Sequence, residues 1–513
     1  MQELLELIRA INITRMKSSG LWYLIFENGS LSEKLCIAIY EGRVSNDEEA
    51  IALLYSDNSG KSKYLNLRER LKEKLQSMAF LLEFKSIEES DRQKAYDKCN
   101  RKYAAAMLLN SKGLKKSGIE MLEDVLKQSI FFDFTDLAIN SLAPLRLYYG
   151  TIVGNMEQYK IYKDLYAKYQ EVWIVENMAE DAYTDLVSNF VKSKASKPML
   201  SEKALEYYLL LKPHLNKYDS FKLHLCGRLV ETMVHSSRND FKATALVCEK
   251  AIDFFTKKPF ESYLPLQTFY YQLVVCHLQL KEFDKGYAAI QKCQPAFEAG
   301  TFNWLKLKEL CFLLAMHTKH YDRAYAVCES VQKDLESAKQ LTHIVEMWKI
   351  YEAYVQYLAQ IGKVKTASAA SKKFKLHKFL NEIPVFSKDK QGMNIPILIV
   401  QILFTLANRN FKHSMDRIEA IEKYCNRYLR QTDTFRSNCI IKALLQLPAA
   451  NFHPEAVQRK AKKYIDLLQQ HQVSDSFQNH EIEIIPYEDL WEMILDTIKI
   501  TKPTTPNRMS ATL

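Results

Sequence analysis

Apolar residues recur three and four positions apart along almost the whole chain, a spacing that places them on one face of successive α-helices. Between these stretches the pattern breaks at short polar corners. In Phe269–Pro295, FYYQLVVCHLQLKEFDKGYAAIQKCQP, two helical patterns meet at KEFDK with Phe283 at its centre. Gly286 follows three positions later, then Ile290 and Cys293. An aromatic opening the second helix can plug the gap between two helices. Small residues one turn on let the axes approach closely.

The same phrase returns along the chain. NDFKATALVCEKA carries Phe241, Thr244, Cys248 and Ala251 at the same offsets, and KHYDRAYAVCESV carries Tyr321, Ala324 and Cys328. GKVKTASAASKKF supplies Val364 and Ala367, and RNFKHSMDRIEAI supplies Phe411, Ser414 and Ile418. Looser copies surround Leu114, Met156, Leu200 and Phe452. The corners fall at 114, 156, 200, 241, 283, 321, 364, 411 and 452, with intervals of 42, 44, 41, 42, 38, 43, 47 and 41 residues. A single hairpin cannot bury both its faces, so a ladder of this kind predicts hairpins stacked on their neighbours.

The two ends lack the phrase. The first 85 residues predict a helix from Glu3 to Met16 and a second from Leu31 to Glu41, closed by Gly42. A third runs to Tyr55 behind a capping box of Ser45 and Glu48, and a long fourth covers Ser62–Phe84. From Asn479 onward, EIEIIPYEDLWEMILDTI predicts a short extended apolar piece and a closing helix behind Pro486. Trp491, Ile494 and Ile498 are expected to cover the last hairpin. The boundaries read in this way are a helical N-terminal domain at 1–88, a repeat array at 89–475, a capping segment at 476–501 and a disordered tail at 502–513.

Composition strengthens the helical reading. Gly and Pro number 13 each in 513 residues, about a third and a half of ordinary usage, whereas strand-and-turn folds spend them at every corner. Apolar residues make up 47% of the chain, enough for a core, and 25 Phe with 29 Tyr can fill wide gaps between long helices. The formal charge of +10 is mild, and its cations are interleaved with acids as on solvated helix faces. Ten cysteines stand singly without a C-x-x-C, as buried thiols in a reducing compartment would. The longest apolar run, Ile395–Ala407, is interrupted by Gln401 and falls short of the roughly twenty residues a membrane span needs. A cytoplasmic protein without a membrane segment is expected.

The phrase at Tyr270, Phe283, Gly286, Ile290 and Cys293 resembles the tetratricopeptide repeat, with a period of about 42 in place of that family's shorter one. The resemblance spans roughly residues 100 to 470. It implies an all-α, right-handed α-solenoid of about nine hairpins with helical caps, holding a protein partner on its first helices. By the family's offsets, Tyr271, Lys306, Glu309, Lys349, Glu352 and Gln356 would face that partner as a mixed-charge groove.

A second resemblance lies in EGRVSNDEEAIALLYSDNSGKSKYLNLRERLKEKLQ, which looks like the helix-turn-helix part of bacterial activators that carry tetratricopeptide-like domains. It would bring Arg68, Arg70, Lys72 and Lys74 to nucleic acid or an acidic partner. Against this, Glu69 and Glu73 point away from the Leu67, Leu71, Leu75 stripe, where they would repel phosphate. A second basic run, with Lys363, Lys365, Lys372, Lys373, Lys375 and Lys378, could meet an acidic surface.

No catalytic or cofactor motif emerges. Gly60-Lys61-Ser62 reads as a turn, because a phosphate loop would need Gly where Tyr55 stands. His317 and His320 straddle a corner without further ligands and read as exposed. Cys276 and His277 are adjacent on a helix and so point apart. The expectation is a non-catalytic interaction scaffold with neither metal nor cofactor. The alternatives are a transcription regulator with an N-terminal helix-turn-helix, and a regulatory subunit of a multi-protein, defence-type complex.

Overall fold

The computed structural model describes residues 1–55, 60–77, 79, 82, 90–193, 197–294, 297, 299–335, 342–365, 375–381, 394–428, 435–470 and 483–499. All regular structure among them is helical, and the chain divides into two compact units, Met1–Tyr159 and Lys160–Leu513.

The first unit contains α1 (Gln2–Ala10), α2 (Ile13–Ser18), α3 (Leu21–Ile25), α4 (Leu31–Tyr40), α5 (Asp47–Leu54), α6 (Gly60–Ser77), α7 (Asp91–Ser111), α8 (Lys115–Phe131) and α9 (Thr135–Leu147). Leu4, Ile8, Met16, Trp22, Leu35, Ile39, Tyr64, Leu71 and Leu75 close one apolar cluster under α1–α6. Cys99, Val125, Phe134 and Leu137 form another among α7, α8 and α9.

Several local expectations for this unit need correction. The single helix expected over 3–16 breaks at Ile11, because the Asn12 side chain caps a new helix by accepting the Arg15 amide at 3.1 Å. The capping box sits one residue later than expected. Asn46 accepts the Glu49 amide at 2.8 Å, and the Glu49 carboxylate accepts the Ser45 amide at 2.7 Å. Gly60 belongs to the first turn of α6 and not to a loop. A Cβ there would lie 2.6 Å from the Tyr55 side chain, so glycine lets the two pack. The short α3 was not anticipated. It carries Trp22, whose indole N–H donates to the buried Glu33 carboxylate at 2.7 Å.

α10 (Met156–Ser193) begins within the first unit and continues into the second. There follow α11 (Lys197–Lys217), α12 (Phe221–Ser236), α13 (Phe241–Thr256), α14 (Tyr263–Gln279), α15 (Phe283–Cys293), α16 (Phe302–His317), α17 (Tyr321–Leu335) and α18 (Thr342–Gln360). The unit closes with α19 (Leu376–Asn381), α20 (Asn394–Ala407), α21 (Phe411–Tyr428), α22 (Phe435–Leu444), α23 (Gln446–Ala449), α24 (Pro454–Gln470) and α25 (Tyr487–Lys499). Within the unit, helices adjacent in sequence pack in pairs, as hairpins do.

The repeated phrase has a backbone cause. Phe241, Phe283, Tyr321 and Phe411 are each the first residue of a helix. Two positions earlier, Asn239, Lys281, Lys319 and Arg409 all take left-handed conformations with φ between 57° and 61°, and Gly362 does so before Val364. The next amide then reaches back five residues to end the preceding helix. Asp240 donates to the His235 carbonyl, Glu282 to His277, His320 to Ala315, Lys363 to Leu358 and Asn410 to Thr405, each at 2.9 or 3.0 Å. This closure satisfies carbonyls that a helix end leaves unpaired. Where the residue is Asp240 or Asn410, its side chain also caps the helix that follows. One residue thus ends one helix and begins the next.

The small positions behave as their spacing requires. Thr244, Gly286, Ala324 and Ser414 are buried, as are Cys248, Ile290, Cys328 and Ile418 four residues later. A Cβ on Gly286 would lie 3.3 Å from Leu314 of the next hairpin and 3.7 Å from His277 of its own. The corner aromatics also reach forward, Phe283 to His317 at 6.5 Å between ring centroids and Phe411 to Phe452 at 4.7 Å. The looser anchors are offset. Leu200 lies inside the first turn of α11, and Phe452 precedes α24 by two residues.

The C-terminal helix does more than close the last hairpin. α25 packs on α20, α22 and α24, and its flanks reach back to α16 and α18. His317 bonds through Nε2 to the Glu483 carbonyl at 2.5 Å, Lys319 pairs with Asp489 at 2.8 Å, and Tyr357 meets Thr497 at 3.5 Å. His317 is therefore largely enclosed and not the exposed corner residue expected. Residues 483–486 hold no strand; they bend into the helix.

Candidate functional site

The six residues expected to face a partner lie on α14, α16 and α18, the first helices of three successive hairpins. Both later helices are buried on most sides. On α16, every residue from Leu310 to Met316 is buried, which leaves Lys306 and Glu309 half-buried on the remaining face. On α18, Lys349, Glu352 and Gln356 are half-buried at helical spacing among buried Trp348, Ile350, Tyr351, Tyr354 and Val355. The stripe therefore exists because the other faces are packed. Thr301 starts α16 by accepting the Trp304 amide at 3.3 Å.

The structure brings these residues into two polar groups, one around Glu309 between α16 and α18 and one within α18. Lys306 pairs with Glu309 at 2.8 Å, and Lys349 with Glu352 at 3.5 Å. The Tyr351 hydroxyl donates to Glu309 at 2.8 Å across the gap between α18 and α16. Burial, together with the Glu309 carboxylate, raises the Tyr271 hydroxyl pKa well above its ordinary value. Burial first, then Glu309, does the same to Tyr351. Both phenols therefore stay protonated, and Tyr351 serves as a donor to Glu309. Tyr351 was not foreseen, because its place among apolar neighbours reads as core and only the fold turns its hydroxyl toward Glu309.

This surface offers paired ammonium and carboxylate groups, with the Tyr351 hydroxyl bracing Glu309 from beneath. The Cys328 thiol beside Glu352 is buried, and burial followed by Glu352 pushes its pKa up. The cysteines described with their side chains are all free and buried, and no group of three metal-ligating side chains occurs among the described residues. No described helix is long and apolar enough to cross a membrane.

The basic residues of α6 divide into two kinds. Arg68 pairs with Asp47 at 3.0 Å and Glu69 at 2.8 Å, and Lys72 pairs with Glu3. Asp47 also accepts the buried Tyr64 hydroxyl, so Arg68 is tied into the packing of its own unit. Arg70 and Lys74 are exposed beside exposed Glu69 and Glu73. In the later basic run, Lys375 is exposed, and Lys372 and Lys373 lie outside the described residues.

A separate basic cavity of about 400 Å³ lies between α12 and α13, lined by Asp219, Arg228, Lys250, Asp253, Phe254, Lys257 and Lys258. Nothing in the sequence pattern singled it out. Its residues come from one helix, a corner and the far end of another. Comparisons with protein-family models, with curated proteins and with solved structures find no match to this chain.

Proposed function

We propose that the chain is a non-catalytic protein–protein interaction scaffold that holds a polar or charged peptide along α14, α16 and α18. The carrying observation is the pair of half-buried ion pairs on adjoining first helices, Lys306 with Glu309, which Tyr351 braces from α18, and Lys349 with Glu352. Paired side chains of this kind can exchange partners with charges on an incoming peptide, so they set specificity more than raw affinity. The hairpins are read as tetratricopeptide-like units, about nine of them winding right-handedly over residues 89–475. The repeated closure at Asn239, Lys281, Lys319, Gly362 and Arg409 supports that reading. A cytoplasmic setting fits the free, buried cysteines.

Nucleic-acid binding by α6 is the less favoured reading, because two of its four candidate cations are held by Asp47, Glu69 and Glu3. Affinity purification from the native host tests the scaffold. The wild-type chain recovers partners that the double variant Lys306→Gln and Lys349→Gln loses, while both unfold at similar denaturant concentrations. Equal recovery of the same partners by a folded double variant rejects this surface. A gel shift at two salt concentrations tests the alternative, since phosphate contacts impose steep salt dependence.

A further inference from the structure

Two hairpin corners of the first unit depart from the polar corners of the second. At Asn239–Asp240, Lys281–Glu282, Lys319–His320 and Arg409–Asn410 the chain turns on polar residues. The turn from α9 into α10 instead reads LYYGTIVGNM, from Leu147 to Met156. It contains a π-helical stretch, Tyr148–Val153, in which no residue is buried. Such stretches are rare and gather at functional places. Leu147, Ile152, Val153 and Met156 stand bare on this turn, from 49% exposed at Val153 to 65% at Met156. The turn from α7 into α8 adds Leu108 and Leu114, exposed to a similar degree.

Both turns lie at one end of the same layer. α7 packs on α8 and α8 on α9 across short corners, so the chain reverses twice and returns to the end from which α8 began. The Tyr149 hydroxyl, donating to Glu123 of α8 at 2.7 Å, ties the second turn to that helix. The turns are fixed in shape. The Leu114 amide donates to the Leu109 carbonyl and the Asn155 amide to the Tyr149 carbonyl, each at 3.0 Å, with Gly113 and Gly154 in left-handed conformations. Residues 107–118 and 144–156 carry Lys112, Lys115, Lys116 and Arg146 and no carboxylate, and the acids that follow are Glu120 and Glu157. The three lysines are exposed and make no ion pair among the described residues.

We propose that this end of the first unit is a peripheral contact with an anionic lipid bilayer. Leu108, Leu114, Leu147, Ile152, Val153 and Met156 enter the boundary of the acyl chains, and Lys112, Lys115 and Lys116 meet the negative headgroups. Charge complementarity and composition both favour lipid as the occupant. The anchors of protein interfaces are enriched in Trp, Tyr and Arg, with Leu and Val under-represented. Aliphatic side chains beside unpaired lysines instead match a contact held by buried apolar area and by attraction to anionic lipid. The contact needs no membrane-crossing helix, and it is independent of the peptide stripe on α14, α16 and α18.

Vesicle flotation of the full chain tests this, with vesicles of phosphatidylcholine alone and of equal parts phosphatidylcholine and phosphatidylserine. The wild-type chain is expected to float with the anionic vesicles and far less with the neutral ones. Reversing the three lysines together, Lys112→Glu, Lys115→Glu and Lys116→Glu, should weaken binding to the anionic vesicles by about tenfold or more. Ile152→Ser with Val153→Ser changes only exposed positions, so the urea midpoint should stay while binding falls by a similar factor. No flotation with anionic vesicles, equal flotation with neutral ones, or undiminished binding by either folded variant would overturn the assignment. So would a wild-type dimer in sedimentation equilibrium that Ile152→Ser with Val153→Ser dissolves, because a second copy would then cover these corners.

Discussion

Arg436 and Glu483 form a two-pronged ion pair, Nε to Oε1 at 2.6 Å and Nη2 to Oε2 at 3.1 Å, with both side chains less than one-tenth exposed. The same guanidinium reaches Glu488 at 2.8 Å and the Leu468 carbonyl at 2.8 Å, and Glu483 accepts the Tyr487 amide at 2.8 Å. One arginine on α22 thereby fastens the end of α24 and the start of α25. The pair sets the geometry by which the C-terminal helix docks.

Removing one partner from such a pair strands a buried charge, at a cost of about 3–5 kcal/mol. Arg436→Met should lower stability by that order in urea unfolding. Arg436→Met combined with Glu483→Gln, which keeps an acceptor for the Tyr487 amide, should lie closer to the wild type than Arg436→Met alone. A double variant as unstable as the sum of two independent losses would show that the pair is not coupled.

His224 gives the second unit an acid-sensitive point. Burial foremost, and then the nearby Arg228 charge, hold its pKa down at about 4. Its Nε2 faces the Tyr218 carbonyl at 3.1 Å, so the neutral ring donates from that nitrogen. An unfolded histidine protonates near pH 6.5, so between about 6.5 and 4 the unfolded state binds the extra proton. Stability should therefore be fully present above about pH 6.5 and fall as the pH drops toward 4, by about 3 kcal/mol at most. Urea midpoints measured across that window should fall less steeply for His224→Gln than for the wild type. Parallel curves would assign the acid sensitivity to other groups.

The corner at Lys281 pays a steric penalty that glycine would avoid. Its φ of 58° costs an L-residue roughly 1–2 kcal/mol, part of which glycine returns through its greater freedom when unfolded. Lys281 is exposed, so Lys281→Gly should raise stability by about 0.5–1 kcal/mol in thermal or urea unfolding. The same change at Lys319 should gain less, because Lys319 also pairs with Asp489. A loss of stability at Lys281 would mean that its side chain holds the corner by some other contact.

The hydrophobic period and the corner phrase were enough to specify a helical chain over the described residues and to place the starts at Phe241, Phe283, Tyr321 and Phe411, because both depend on interactions within a few residues. The burial of Thr244, Gly286, Ala324 and Ser414 followed from the same local spacing. The candidate stripe at Lys306, Glu309, Lys349, Glu352 and Gln356 came from family offsets, and the structure gives those residues one half-buried face. Tertiary structure alone decided which of them touch. Tyr351 reaches Glu309 from the next hairpin, Arg68 and Lys72 are drawn to Asp47 and Glu3, and Arg436 meets Glu483 from far along the chain. The basic cavity likewise joins Asp219, Arg228 and Lys250 from separate segments. Side chains distant in sequence meet only after backbones have packed, and no periodic pattern records that meeting. Sequence thus determined the repeated unit, and packing decided the chemistry of its surfaces.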